Sequence, residues 1–285
     1  MAVAQTELRA RAVTDRDAIA SFLRSDRLYA VYALGDLDGP HRRRATWGIA
    51  YDAAGRPTSL AEHHEGLVPQ PLFLMGDPDG CQALLESIIK PRDAYFQAHE
   101  DHHPAMAALY DLEPPSRMLR MVVNSETFQP FAGNAQRLGA ADVEDLNHLY
   151  QLGFRTGFPT SVLEDGIYYG VRVHGRLVSA AGTHVINVRE GVAVVGNVMT
   201  HIDYRGHDFA KMVTSAVTSS LLEHVPDVAL NVHVGNGPAV AAYARLGYRE
   251  YCQLVERPGR RRSGGWGLMR PIREAIRLTW QRDPR

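Results

Sequence analysis

The chain has 285 residues, room for roughly two domains of about 100–200 residues each. At 45% hydrophobic and 22% charged residues it has the composition of a globular protein, which excludes a disordered one. Its 31 basic and 32 acidic residues nearly cancel, so bulk charge makes no case for nucleic acid or an anionic membrane. No apolar run nears the ~20 residues that cross a bilayer, and the first ten residues lack the pattern of a signal peptide. Two cysteines, Cys81 and Cys252, cannot build a disulfide framework, so a cytoplasmic protein is expected. Lys90 and Lys211 are the only lysines among 31 basic residues, a bias that reads first as genomic.

In chain order, Ile19, Phe22 and Leu23 mark a first helix. Residues 47–51 and 58–62 read as a hairpin around Ala54-Gly55. Residues 71–75 and 94–98 read as strands, with a helix over about 80–89 between them. Residues 129–134, with Pro130 and Gly133, read as a linker. Asp142 can cap a helix whose Val143, Leu146 and Tyr150 share one face. Residues 167–173 and 176–184 form a second hairpin signal across His174-Gly175. Residues 191–199 are valine-rich on both faces, the mark of a buried strand. Phe209, Met212, Val213, Ala216 and Val217 have helical spacing within 208–223. A strand follows over 228–234. Pro238 opens a short helix that Gly247 stops. Strands near 248–256 and 267–270 are expected to flank a basic loop at 257–265. The order is that of a mixed α/β sheet.

The two halves repeat. Pro104 and Pro238 lead alanine-rich segments 134 positions apart, and 13–19 resembles 140–146 at an offset of 127. Both matches occur in the same order, which predicts duplicated domains over 1–125 and 126–285.

Two segments carry chemistry. In 197–211 a buried strand ends in a polar loop and an amphipathic helix begins. Such a loop aims several N–H groups at one point, backed by the helix dipole, which suits a phosphate; Arg205 and Lys211 add charge. An ordinary strand–helix turn has the same outline. In 231–248, Asn236 can cap the short helix that carries Tyr243; a core tyrosine with a satisfied hydroxyl is the commoner fate of such a residue.

About 30 residues apart and in this order, the two segments resemble the GNAT superfamily of acyl-CoA-dependent N-acyltransferases. The first resembles the pyrophosphate motif Arg/Gln-x-x-Gly-x-Gly/Ala. The second matches Asn-x-x-Ala-x-x-x-Tyr-x-x-Leu-Gly-Tyr/Phe through Asn236, Ala239, Tyr243, Leu246, Gly247 and Tyr248. The resemblance covers about 135–273. It implies tandem GNAT-like domains, each a mixed, mostly antiparallel sheet flanked by helices, with the N-terminal domain degenerate and acetyl-CoA as co-substrate. It also implies a sheet splayed between its fourth and fifth strands, where pantetheine adds as a further strand. Val198, Met199 and Thr200 would then border pantetheine and the thioester. Arg205, Gly206, His207, Asp208, Phe209, Ala210 and Lys211 would hold the pyrophosphate, with Asn236 close by. Tyr243 would be the general acid toward the thiolate.

One position departs from the motif: Asp208 stands at the central glycine. Its carboxylate either points outward and leaves the helix amides free, or occupies them in place of phosphate. A carboxylate ~5 Å from a phosphate charge costs about 3 kcal/mol at an effective dielectric of ~20. The outward arrangement is the expected one. For the base, His201, Glu164, Asp165 and His184 are open. Phe154, Arg155, Thr156, Gly157, Phe158 and Pro159 would border the acceptor, a small-molecule or peptide amine. No nucleic-acid or membrane partner is expected, and a homodimer stays open. A non-catalytic acyl-CoA-binding or regulatory protein is the alternative.

His99-Glu100-Asp101-His102-His103 matches the zinc-protease pattern His-Glu-x-x-His, which works only on a helix. The strand-like run before it and Pro104 after it argue against one, so no metal is expected. In the first half, Asp77 and Asp79 stand where the phosphate loop would be, and Leu109 stands where the tyrosine would be.

Overall fold

The computed structural model describes residues 8–151 and 161–262. The segment 154–159 and the strand expected at 267–270 lie outside them.

The chain begins with β1 (Arg9–Ala12), α1 (Arg16–Leu23), α2 (Val31–Gly35) and α3 (Gly39–Arg42). It continues through β2 (Ala45–Tyr51), β3 (Pro57–His64), β4 (Pro71–Gly76), α4 (Pro78–Ser87), β5 (Asp93–Ala98), α5 (His103–Leu109), β6 (Tyr110–Leu112) and β7 (Ser116–Asn124). Then come β8 (Gln136–Arg137), α6 (Val143–Tyr150), α7 (Ser161–Asp165), β9 (Tyr169–Val173), β10 (Arg176–Asn187) and β11 (Val192–Thr200). The last elements are α8 (Phe209–Leu222), β12 (Asp227–His233), α9 (Gly237–Arg245) and β13 (Arg249–Arg261). None of the described helices is long and apolar enough to cross a membrane.

The compact units are not contiguous halves of the chain. The described part of one is 8–13, 46–115 and 256–262; that of the other is 14–45, 116–151 and 161–255. The helices α1–α3 therefore fold with the second unit although they precede residue 125. So does β7, whose residues 116–124 sit just before the predicted joint.

In the first unit, β1 pairs with β2 and β3 with β4, both antiparallel, and β4 runs parallel to β5. The C-terminal part of β13 follows, antiparallel to β6 through Gly259↔Leu112. This corrects the predicted basic loop: residues 257–261 are strand. Arg257 is buried and donates to the Glu113 carbonyl, and Arg261 donates to the Leu85 carbonyl. The alternation of Val255, Arg257 and Gly259 on one face of a paired strand outweighs the run of arginines. His102 sits in a 3-10 turn with Nε2 3.0 Å from the Gly76 carbonyl, and His103 Nδ1 is 2.9 Å from Arg257. The His-Glu-x-x-His pattern thus spans a turn and a helix start.

In the second unit the strand order is β13–β7–β12–β11–β10–β9–β8. On the side away from β11, β12 pairs with β7, a strand from before the predicted joint, antiparallel from Asp227↔Asn124 to His233↔Met118. Residues of both strands alternate into one core: Leu119, Met121 and Val123 with Val228, Leu230 and Val232, covered by Val213, Val217 and Leu221 of α8, by Tyr243 of α9 and by Leu246 just after it. On the other face Leu146, Leu149 and Tyr150 of α6 pack with Leu163, Tyr168 and Leu177, and α2 packs on β10 and β11. Asp142 takes the N-cap position of α6 without capping it. Its carboxylate instead accepts from the Gly139 N–H and from Arg172. Gly247 ends α9 at φ 88°, and a Cβ there would meet the Thr127 carbonyl oxygen at 1.9 Å.

Candidate active site

The parallel pair β11–β12 is short. Its register runs from Val192↔Asp227 only to Val195↔Leu230. Beyond that point each strand pairs outward: Met199 and Thr200 oppose Ala180 and Ser179 of β10, while Asn231 and His233 oppose Arg120 and Met118 of β7. The inner edges of 196–200 and 231–233 are left apart, a wedge open at the carboxyl ends of the two strands.

A bulge lines this wedge. Between the pairs Gly182↔Gly196 and Ala180↔Met199, β11 carries one residue more than β10, and Asn197 has φ 54°. A bulge re-aims side chains and loosens the ladder. Asn197 is held on three sides. Tyr150 donates to its carbonyl, and its Nδ2 donates to the Tyr168 hydroxyl at 2.9 Å. Its Oδ1 is 3.0 Å from His184 Nε2. Because Asn197 presents an oxygen to it, His184 Nε2 is the protonated nitrogen. His184 Nδ1 is then the basic nitrogen, 3.0 Å from the Tyr32 hydroxyl.

Past the bulge, Val198, Met199 and Thr200 are half-buried. The His201 N–H donates to the Val178 carbonyl of β10. By strand alternation the Thr200 backbone faces the wedge, and its carbonyl lies 3.5 Å from Arg205 Nε. His201 caps the next turn: Nδ1 accepts from the Asp203 N–H at 3.3 Å, and Nε2 is 3.2 Å from Arg176. Its place as the cap of this turn, with Nδ1 taken by the Asp203 N–H, gives His201 a structural role. Glu164 and Asp165 are exposed on α7.

The loop 205–211 delivers the N-terminus of α8. Gly206 has φ 82° and Asp208 has φ 60°. That second value explains a glycine at the motif's centre, because the left-handed region favours glycine and admits aspartate more readily than most residues. The Asp208 carboxylate makes no capping bond; it pairs with Lys211 Nζ at 3.0 Å and is half-exposed. Lys211 is buried, 4.4 Å from the centre of the Phe131 ring. The first amides of the helix are therefore not taken by the aspartate. His207 stacks on Phe209 at 5.7 Å, and Ala210 is half-buried within the first turn. The first unit behaves oppositely: the Asp77 carboxylate accepts from the Asp79 and Gly80 N–H groups at 2.8 and 3.3 Å and so fills the α4 terminus.

Asn236 caps α9, accepting from the Ala239 N–H at 3.3 Å. Tyr243 is buried beside Tyr248, with ring centres 6.1 Å apart. Burial pushes its hydroxyl up to about 12, so it keeps its proton at neutral pH. The Tyr248 hydroxyl, by contrast, bonds Thr218 at 2.7 Å. Asn197, Tyr168, Tyr32 and Arg120 were not singled out from sequence. The available signal was a polar residue interrupting an apolar strand, as Asn197 does in β11 and Arg120 in β7.

Residues 168–256 match the model of the FR47-like protein family. None of the curated proteins matches the sequence. Among solved structures, the chain is similar to a GCN5-related N-acetyltransferase from Sphaerobacter thermophilus, at 14% identity over 90% of this chain and 96% of that one, with a TM-score of 0.57. It is similar to a GCN5-related N-acetyltransferase from Kribbella flavida at 17% identity, over 72% of this chain and 88% of that one, TM-score 0.55. A tandem GNAT protein from the clavulanic acid biosynthesis pathway aligns at 14% identity over 88% of this chain and 98% of that one, TM-score 0.51.

Proposed function

Because the chain has the fold of the GNAT superfamily of acetyltransferases, we propose that it moves an acetyl group from acetyl-CoA to an amine by direct transfer in the second unit. The observation that carries this reading is a wedge between β11 and β12 that lies beside a helix terminus left uncapped by Asp208. Acetyl-CoA supplies the activated acetyl group. The amides of Gly206 to Lys211, with Arg205, hold its phosphates, aided by the α8 dipole. Val198 and Thr200 offer a free strand edge to pantetheine, and Met199 between them pairs with Ala180 of β10 and borders the pantetheine by its side chain. That edge is where an extended chain completes a ladder.

Tyr243 stays protonated below about 12 and meets the departing sulfur as an O–H donor. His184 is the base. Its Nδ1 takes the amine proton through the Tyr32 hydroxyl, while Asn197 fixes the ring by accepting from Nε2. The first unit, with Asp77 across its own helix amides, does not bind a second acetyl-CoA and serves a structural role.

Calorimetric titration with acetyl-CoA tests the reading. Micromolar binding that Arg205→Glu abolishes is expected. Thiol release in an amine panel should then fall about a hundredfold in Tyr243→Phe, with the KM for acetyl-CoA unchanged. Binding without turnover on any amine would favour a non-catalytic acyl-CoA-binding role. No binding at millimolar acetyl-CoA would end both readings.

A further inference from the structure

Arg120 lies on β7, and its neighbours Leu119 and Met121 face the α8–α9 core, so its side chain is on the opposite face. Its register partner is Asn231, the first residue of β12 beyond the last β11–β12 pair. The guanidinium thus stands at the mouth of the wedge, on the face that carries His184 and Asn197. It is 3% exposed. Nε donates to Asn231 Oδ1 at 2.9 Å, and Nη1 donates to the Leu28 and Tyr29 carbonyls. All these acceptors are neutral. Asp26, the carboxylate nearby, accepts instead from the Tyr29 N–H and the Tyr251 hydroxyl. Among the described residues Arg120 forms no ion pair; its hydrogen bonds come from Nε and Nη1, and Nη2, which makes none, is not sealed off from solvent.

A guanidinium this buried loses hydration that neutral carbonyls only partly replace. An anion completes it, and the planar fork matches a carboxylate. The position of that anion relative to the base follows from one side chain. The Arg120 guanidinium lies 5.4 Å from the centre of the Tyr32 ring, and the hydroxyl of the same tyrosine is 3.0 Å from His184 Nδ1. A single tyrosine ring therefore separates the cation from the base. We infer that the acceptor is an amine that also carries a carboxylate, as an amino acid does, with Arg120 binding the carboxylate and Tyr32–His184 receiving the amine proton. This rests on acetyl transfer at the same site.

The test compares matched acceptors on the intact protein: glycine with glycinamide, and phenylalanine with its amide and with phenethylamine. Thiol release gives the kinetics, and each amine is also titrated by calorimetry onto the protein loaded with CoA. The carboxylate member is expected to lead by at least about tenfold in kcat/KM. Arg120→Gln should raise its KM by at least about tenfold while the KM for acetyl-CoA stays within about twofold, with Arg120→Lys in between. Should Arg120→Gln fail to fold, the wild-type comparison decides alone. Neutral amines acetylated as well as their carboxylate partners would overturn the inference and leave acetyl transfer standing. Acetyl-CoA binding with no turnover on any amine would overturn acetyl transfer. In that case carboxylate-selective heat lost in Arg120→Gln would still support the anion site, and no selective heat would overturn it too.

Discussion

Two aspartates at two helix starts show how one side-chain direction decides a site. Asp77 turns into the α4 terminus and takes two amides, whereas Asp208 turns out to Lys211. The difference begins in the backbone: Asp77 has φ −66° and an extended ψ of 130°, the usual cap geometry, whereas Asp208 is left-handed at φ 60°. The left-handed turn carries the carboxylate away from the amides it would otherwise accept from. Asp208→Gly removes a negative charge beside the proposed phosphate site and relaxes the backbone. It should tighten acetyl-CoA binding by about tenfold, a value reduced from the Coulomb limit because the carboxylate is half-exposed. Calorimetry on the variant checks this; unchanged affinity would mean that Asp208 lies too far from the phosphates to matter.

At the scale of elements, the β10–β11 ladder is built around two facing glycines. A Cβ on Gly196 would lie 2.3 Å from His184 Nε2, and one on Gly182 would lie 2.0 Å from the Tyr168 ring. Those two rings are the ones that hold the Asn197 side chain, so the glycines make room for the clasp on the bulge. Gly196→Ala should swing His184 away from Asn197 and Tyr32. Because His184 is exposed, its ring can move toward solvent at little cost, and the melting temperature should fall by only a few degrees. The rate of thiol release should fall by at least about tenfold. A large loss of stability with unchanged specific activity would refute the positioning role. The strand pattern announced β11 and its helix, because valines on both faces and a 3.6-residue period need no partner to be recognised. The bulge was not legible, since it depends on what β10 places opposite.

At the scale of the molecule, an ionic cluster fastens the α1–α2 segment within the second unit. Glu190, on the β10–β11 turn with a side chain 1% exposed, accepts from Arg24 at 2.8 and 2.9 Å and from Arg16 at 2.9 Å. Asp38 accepts from Arg16 at 2.8 and 2.7 Å. Desolvation raises the Glu190 carboxyl, but hydrogen bonds from Arg24 and Arg16 outweigh it and hold it below its ordinary value. Arg16 lowers Asp38 in the same way. A depressed folded pKa means that the unfolded chain binds more protons in that range. The stabilisation is complete above the ordinary values of 4.5 and 3.8 and is lost as pH falls through the lowered ones. Melting temperature should therefore drop steeply below about pH 4.5 in the wild type, and less steeply in Glu190→Gln, which is also less stable at pH 7. Parallel acid limbs in the two proteins would show that the cluster does not govern acid stability.

Local pattern sufficed for most of the helices and strands, for the loop–helix and Asn-to-Tyr segments, and for the glycine that ends α9, because propensity, period and turn chemistry act within a few residues. It did not suffice for membership of the compact units. Residues 14–45 and β7 join the second unit through contacts such as Arg24–Glu190 and Arg120–Asn231, made between residues more than a hundred positions apart. The outward direction of Asp208 was expected from the survival of the rest of the motif; what the fold adds is its cause, a left-handed backbone torsion and Lys211 held over Phe131. The arginine at the wedge was beyond the reach of local pattern. A charge in an apolar strand becomes a site only when the fold buries it among neutral partners, and burial is a property of the packed chain.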